Sequence, residues 1–218
     1  MIEIPVHNLT GEQVGTFEVD EQQLGGEVRP ALLKQAYVRY HANRRLGAAK
    51  TRRRSEVSHS TRKLYRQKGT GNARRGDLNA NLLRGGYHAK NKQPKSWRQK
   101  MPTRMRRLAN ANALLAKAVA REIKLIDGLS FEKPSTKQFQ GVLEALELNR
   151  STLVALDQVD GPAGRSATNL DDVSVTQIDR LNAFDLLNHR YLLASKEAFE
   201  AYLGRVTDRL SAKQEVAQ

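Results

Sequence analysis

Apolar positions follow two rhythms along this chain, and one long stretch follows neither. Ile2, Ile4 and Val6 alternate with polar or small neighbours, and Val14, Phe17 and Val19 do so again after the turn-like Asn8-Leu9-Thr10-Gly11. This predicts a hairpin of two strands. Pro30 suits the first turn of a helix, and Leu33, Ala36, Tyr37 and Tyr40 give that helix one apolar face. Pro102 precedes a second predicted helix, with a stripe of Leu108, Ala111, Leu115, Ala118 and Val119 running to about Arg121. From Ile123 the chain alternates. Short apolar runs at 123–126, 153–156, 173–178 and 191–194 read as strands. Residues 135–148 (Phe139, Val142, Leu143 and Leu146 on one face), 163–170, 183–189 and the stretch of Phe199, Tyr202, Leu203 and Val206 read as helices. Strands separated by helices predict right-handed crossovers. The fold class is therefore α/β, a parallel-sheet globular domain with helices on both faces.

The exception lies between the two early helices. From Arg44 to Trp97 the large aliphatics are Leu46, Val57, Leu64, Leu78, Leu82 and Leu83, at neither helical nor strand spacing. Gly69, Gly71, Gly76, Gly85 and Gly86 interrupt any regular element. So little apolar surface cannot offset the entropy of ordering, and the segment is predicted to be disordered in isolation. An irregular insertion of this length inside a compact domain usually carries function. The predicted organisation is residues 1–43 as hairpin and helix, 44–101 as a long extended basic arm, 102–210 as the remaining globular part, and 211–218 as a frayed tail.

Charge sharpens that division. The 218 residues hold 37 Lys and Arg against 23 Asp and Glu, a formal +14. From His41 to Arg107 there are 21 basic residues against two acids, Glu56 and Asp77, so the remainder is net acidic. One-signed charge concentrated in a third of the chain is not a solubilising surface, which would interleave the signs. It points to a polyanionic partner, nucleic acid before membrane. No stretch reaches the roughly 20 apolar residues of a membrane span. The opening MIEIPVHNLTGEQVG has Glu3 and no apolar run of signal-peptide length, so a cytoplasmic protein is expected.

Catalytic chemistry finds no foothold. There is no cysteine, which excludes disulfides and thiolate metal sites. The interval Gly71 to Gly76 matches a phosphate-binding loop, but Asp77-Leu78 follow where Lys and Ser or Thr are required. Gly69-Thr70-Gly71 lacks both the third glycine of a dinucleotide fingerprint and a preceding strand. His7, His41, His59, His88 and His189 are scattered, and Ser58-His59-Ser60 sits where no scaffold holds it. Gly161-Pro162-Ala163-Gly164-Arg165-Ser166 reads as a turn entering a helix. Asp157, Asp160, Asp171 and Asp172 read as loop residues at strand ends. No catalytic residue, cofactor or metal site is expected.

A binding role is well supplied. Arg and Lys neutralise phosphates and release counterions, and Arg forks two N–H donors onto phosphate oxygens. Tyr65, Tyr87 and Trp97, interleaved with the cations, are stacking platforms for unpaired bases. The arm lacks the recognition helix of a sequence-specific DNA reader. The candidate RNA-binding set is Arg44, Arg45, Lys50, Arg52, Arg53, Arg54, Arg62, Lys63, Tyr65, Arg66, Gln67, Lys68, Gly69, Thr70, Gly71, Arg74, Arg75, Arg84, Tyr87, Lys90, Lys92, Lys95, Trp97, Arg98, Lys100, Arg104, Arg106 and Arg107.

The run TRRRSEVSHSTRKLYRQKGTGNARRGD, followed by RGGYHAKNK and MPTRMRRLANANALLAK, resembles the universal large-subunit ribosomal protein four family of bacterial type. Its R-Q-K-G-T-G-x-A-R core is the specific part, and RSATNLDDVSVTQIDRLNAFDLL matches the family's later pattern. Leu64-Tyr65 stands where the family has Pro-Trp, and Gly85-Gly86-Tyr87 where it has three glycines. The resemblance implies a structural, non-enzymatic constituent of the large subunit that binds large-subunit (23S-type) rRNA and supports its assembly. It implies a globular domain on the solvent side, with the arm threaded into rRNA among neighbouring large-subunit proteins. It further implies that Arg66, Gln67, Lys68, Gly69, Thr70 and Gly71 form a tip lining the polypeptide exit tunnel, beside the nascent polypeptide. Legs of about 25 residues could reach roughly 80 Å if fully extended. A basic chain with an α/β half leaves two competing readings. One is an RNA-modifying or nucleotide-using enzyme with an RNA-delivery arm; the other is a nucleoid DNA-binding protein.

Overall fold

The structure, a computed structural model, describes residues 1–211. The chain forms two compact units, one of residues 1–41 with 100 onward, the other of residues 42–99. Of the predicted tail, Ser211 closes the last helix and 212–218 lie outside the described residues.

The first unit is built on a six-stranded sheet. In chain order its strands are β1 (Ile2–His7), β2 (Gln13–Val19), β3 (Ile123–Ile126), β4 (Thr152–Leu156), β5 (Val173–Gln177) and β6 (Tyr191–Ser195), arranged β2-β1-β3-β6-β4-β5. β1 and β2 are antiparallel and all other pairings are parallel. The hairpin turn is set by Asn8, whose Oδ1 accepts from the amides of Thr10 and Glu12. The helices are α1 (Pro30–Arg44), α2 (Thr103–Val119), α3 (Thr136–Ala145), α4 (Pro162–Ala167), α5 (Ala183–Asn188) and α6 (Lys196–Ser211).

The pleat divides the parallel strands between two cores. Ile123, Leu125, Leu153, Ala155, Leu192 and Ala194 join Ile4, Val6, Leu33, Ala36, Leu115 and Phe199 in one cluster. The alternate residues Ile126, Val154, Leu156 and Leu193 join Phe139, Val142, Leu143 and Ala167 in the other. Period-2 alternation with both sets buried is the signature of a sheet covered on both faces, and β4 is buried at all five positions. Local chemistry sets the helix starts. Ser135 accepts from the Gln138 amide to cap α3, Asn182 accepts from the Asp185 amide to cap α5, and Pro162 occupies the first turn of α4.

Three expectations are corrected. Val14 is 62% exposed, because the pleat that turns Phe17 and Val19 inward turns position 14 outward. Val119 is 60% exposed. The helix buries Ala111, Leu115 and Ala118 of the predicted stripe together with Ala109, Asn112, Ala113, Leu114 and Lys117, a wider face than the stripe alone. Its alanines allow the close approach of β1, α5 and α6, with which it packs. The helix predicted over 163–170 ends at Ala167, where the Thr168 hydroxyl turns back to the Gly164 carbonyl.

Candidate RNA interface

The second unit contains no strand and a single 3-10 turn, Arg54–Glu56. Its path is still defined, because the chain doubles back on itself. At the root Asn43 pairs with the Gln99 backbone, accepting its amide at 2.7 Å and donating to its carbonyl at 3.4 Å. The Lys95 amide then donates to the Gly47 carbonyl (3.0 Å), Thr51 exchanges two bonds with Lys92 (3.0 and 2.7 Å), and the His88 amide donates to Arg52 (3.2 Å). Farther out the Leu64 amide donates to Gly76 (2.9 Å), Lys63 Nζ to the Arg75 carbonyl (3.1 Å) and the Tyr65 hydroxyl to the Ala73 carbonyl. The partners approach one another in sequence, so the two legs converge on one turn.

That turn is the R-Q-K-G-T-G segment. Arg66 donates from its guanidinium to the Gly69 carbonyl at 3.0 Å, and Lys63 Nζ reaches Gln67 Oε1 at 3.0 Å. Gly69 and Gly71 have φ of +80° and +69°, the left-handed region that side chains resist. Arg66, Gln67, Lys68, Gly69 and Gly71 are exposed and Thr70 is half-buried.

The electrostatics are one-sided. Residues 42–99 hold 17 Lys and Arg against two acids. Both acids are engaged within the arm. Glu56 pairs with Lys50 at 3.2 Å and accepts the Arg53 amide, and Asp77 pairs with Arg54 at 2.9 Å. The Arg53 amide and then the Lys50 ammonium hold the Glu56 carboxyl below its usual range. Arg44, Arg45, Lys50, Arg52, Arg53, Arg54, Arg62, Lys63, Arg66, Lys68, Arg74, Arg75, Arg84, Lys90, Lys92, Lys95 and Arg98 are all exposed, and Tyr65, Tyr87 and Trp97 are half-buried. Lys100, Arg104, Arg106 and Arg107 belong to the first unit, the last three on the first turns of α2.

Several residues that shape the arm escaped the sequence reading. Asn43 and Gly47 lock the root, Asn79 is buried at 4% exposure beside the turn of 78–86, and Val57 is buried. The available signal was Glu56 and Asp77: an acid isolated in a one-signed segment has a structural partner close by. The other candidate chemistry stays apart. Gly161–Ser166 is the entry to α4. Among the described residues no three His, Asp or Glu side chains gather as a metal site. No helix among them is long and apolar enough to cross a membrane.

A family model described as the ribosomal protein L4/L1 family matches residues 17–205. Similar curated proteins carry the name large ribosomal subunit protein uL4. One from Dehalococcoides mccartyi strain CBDB1 is 39% identical over 197 residues, 90% of this chain and 94% of its own. One from Rhodopirellula baltica is 35% identical over 201 residues, covering 92% and 90%. One from Desulforapulum autotrophicum is 37% identical over 207 residues, covering 95% and 100%.

Proposed function

Because the chain belongs to the ribosomal protein L4/L1 family, we propose that its arm anchors it in the large-subunit rRNA and carries its tip to the polypeptide exit tunnel. The protein is a structural constituent of the large ribosomal subunit and not an enzyme. Cations along both legs neutralise phosphates and release counterions, while the aromatics stack on unpaired bases. In doing so the arm holds separate rRNA segments together and supports assembly beside neighbouring large-subunit proteins. At the tip, Arg66 through Gly71 face the nascent polypeptide.

What carries this reading is the doubled-back arm itself, 17 cations on two legs that meet at the R-Q-K-G-T-G turn with both acids already paired. No observation favours the enzymatic or DNA-binding readings. The test is sedimentation of epitope-tagged protein through salt-washed gradients. The full chain is expected to run with large subunits, and a variant lacking residues 42–99 to enter them at most weakly. A photo-crosslinker at Lys68 is expected to capture nascent chains on translating ribosomes. Tagged protein that stays at the top of the gradient would overturn the assignment, and a silent crosslinker would remove the tunnel role.

A further inference from the structure

The root of the arm is more than an anchor for its legs. Arg45 lies with its guanidinium 3.7 Å from the centre of the Trp97 ring, and the Lys95 ammonium is 4.5 Å from the same centre. Beside them a cleft of about 780 Å³ opens between the legs, lined by Asn43, Arg45, Gly47, Lys95, Trp97 and Arg98 among others. Hydrogen bonds join its two walls. Asn43 holds Gln99, and the Lys95 amide donates to the Gly47 carbonyl. Gly47 has φ of +65°, and a Cβ there would stand 2.1 Å from the Lys95 carbonyl oxygen and 2.7 Å from Trp97 Cδ1. The close approach of the two legs therefore requires a residue with no side chain.

The cleft is charged and uncompensated. No carboxylate lines it, and Arg45, Lys95 and Arg98 make no ion pair among the described residues. The two acids of the arm are engaged elsewhere, Glu56 with Lys50 and Asp77 with Arg54. Three cations around a half-buried indole ask for a ligand that is both flat and anionic. A free phosphate satisfies the charge but offers the flat Trp97–Arg45 pair nothing to stack on it. Bases inside a duplex are already stacked and offer no free face. We infer that the arm root binds one unpaired nucleotide of the RNA, its base stacked on the Trp97–Arg45 pair and its phosphate held by Lys95 and Arg98. This rests on the RNA-binding reading above and adds a specific nucleotide site to it.

Trp97 is the only tryptophan in the chain, so its emission reports on this cleft alone. Full-length protein is titrated with a short single-stranded oligoribonucleotide, with an abasic strand of equal length, and with heparin as a polyanion without bases. The oligoribonucleotide is expected to quench Trp97 saturably, while the abasic strand and heparin bind with little quenching. Trp97→Leu is expected to weaken oligoribonucleotide binding about tenfold. The salt dependence should be unchanged, since no charge is lost. Arg45→Gln, which keeps the ring, is expected to lower both affinity and salt dependence. Equal quenching by heparin, or unchanged emission with RNA bound by filter retention, overturns the root site and leaves the RNA-binding reading standing. Failure to retain any RNA overturns both.

Discussion

Gly164 and Gly141 both sit in helices, and the difference between them is room for one atom. A Cβ on Gly164 would lie 1.9 Å from the Val159 carbonyl oxygen, whereas one on Gly141 meets nothing within 4 Å. Gly164→Ala is therefore expected to cost about 1–3 kcal/mol, because the backbone loop of 158–161 cannot give way as a side chain would. Gly141→Ala should instead stabilise by about 0.5–1 kcal/mol, by removing backbone freedom from the unfolded chain. Denaturant midpoints of the two variants should move in opposite directions; a common direction would contradict the packing described at α4. The sequence marked Gly161–Ser166 as a turn into a helix, yet nothing in it distinguished the glycine pressed against a carbonyl from the one facing solvent. Glu56 is a second case decided by one residue. Its folded carboxyl titrates below the usual range because of the Arg53 amide and Lys50. The local order it confers is present above the ordinary carboxylate pKa and is lost as pH falls through the lowered folded value. The protection factor of the Arg53 amide, its exchange measured against the intrinsic rate, should fall across that acidic window, and Glu56→Gln should show the lower protection already at neutral pH. A protection factor that does not change with pH would mean that the carboxylate does not hold the turn.

At the scale of elements, the end of α2 carries the least expected feature of the first unit. Lys117 is only 7% exposed, with its ammonium 2.6 Å from Glu122 and 2.7 Å from the carbonyls of His189 and Arg190, while Arg190 also pairs with Glu122 at 2.9 Å. This ties the C-terminal end of α2 to the entrances of β3 and β6. Lys117→Ala leaves Glu122 and two carbonyls without a buried donor and should destabilise by about 3 kcal/mol. Equilibrium urea unfolding measures it, and a loss below 1 kcal/mol would show that Arg190 alone satisfies the carboxylate. A lysine inside an apolar stripe reads as a solvated position in sequence. Glu122 is five residues on, but the two carbonyls come from β6's approach, 72 and 73 residues away, and the three converge only in three dimensions. The strands were legible for the opposite reason: LVAL at β4 and the apolar runs of β3 and β6 are short, continuous and bounded by turns, a pattern dictated locally. The arm gives a contrasting expectation. Its leg-to-leg bonds are mostly exposed, and Val57 and Asn79 are its buried side chains. Such a segment opens at low free-energy cost. Brief trypsin treatment of the free protein should cut first within residues 44–100, leaving residues 1–41 associated with the C-terminal part through the β1–β3 pairing. An arm as resistant as the α/β unit would contradict its predicted disorder in isolation.

For the whole molecule, charge is distributed as the fold is. Residues 42–99 carry 17 basic and two acidic side chains, while the other 160 residues carry 20 and 21. A domain that is near neutral and an appendage that is almost purely cationic were visible in composition alone, because the division follows the chain. The doubled-back path was not visible: it depends on Asn43, Gly47, Thr51 and Tyr65 meeting partners on the opposite leg, and no periodicity encodes those meetings. If the two units divide the work as they divide the charge, removing the arm should separate folding from RNA binding. A chain in which a short Gly-Ser linker replaces residues 42–99 keeps all six strands, both apolar clusters and the Lys117 network. It should unfold cooperatively, with a midpoint close to that of the full protein. The full chain's affinity for large-subunit rRNA should fall with salt at a slope of about −0.7 to −0.9 per phosphate neutralised, a steep dependence if even half of the arm's cations engage. The shortened chain should lose most of that slope together with most of its affinity. A folded, armless protein that retains the full salt slope would locate the phosphate contacts on the α/β unit and overturn the division of labour proposed between the two.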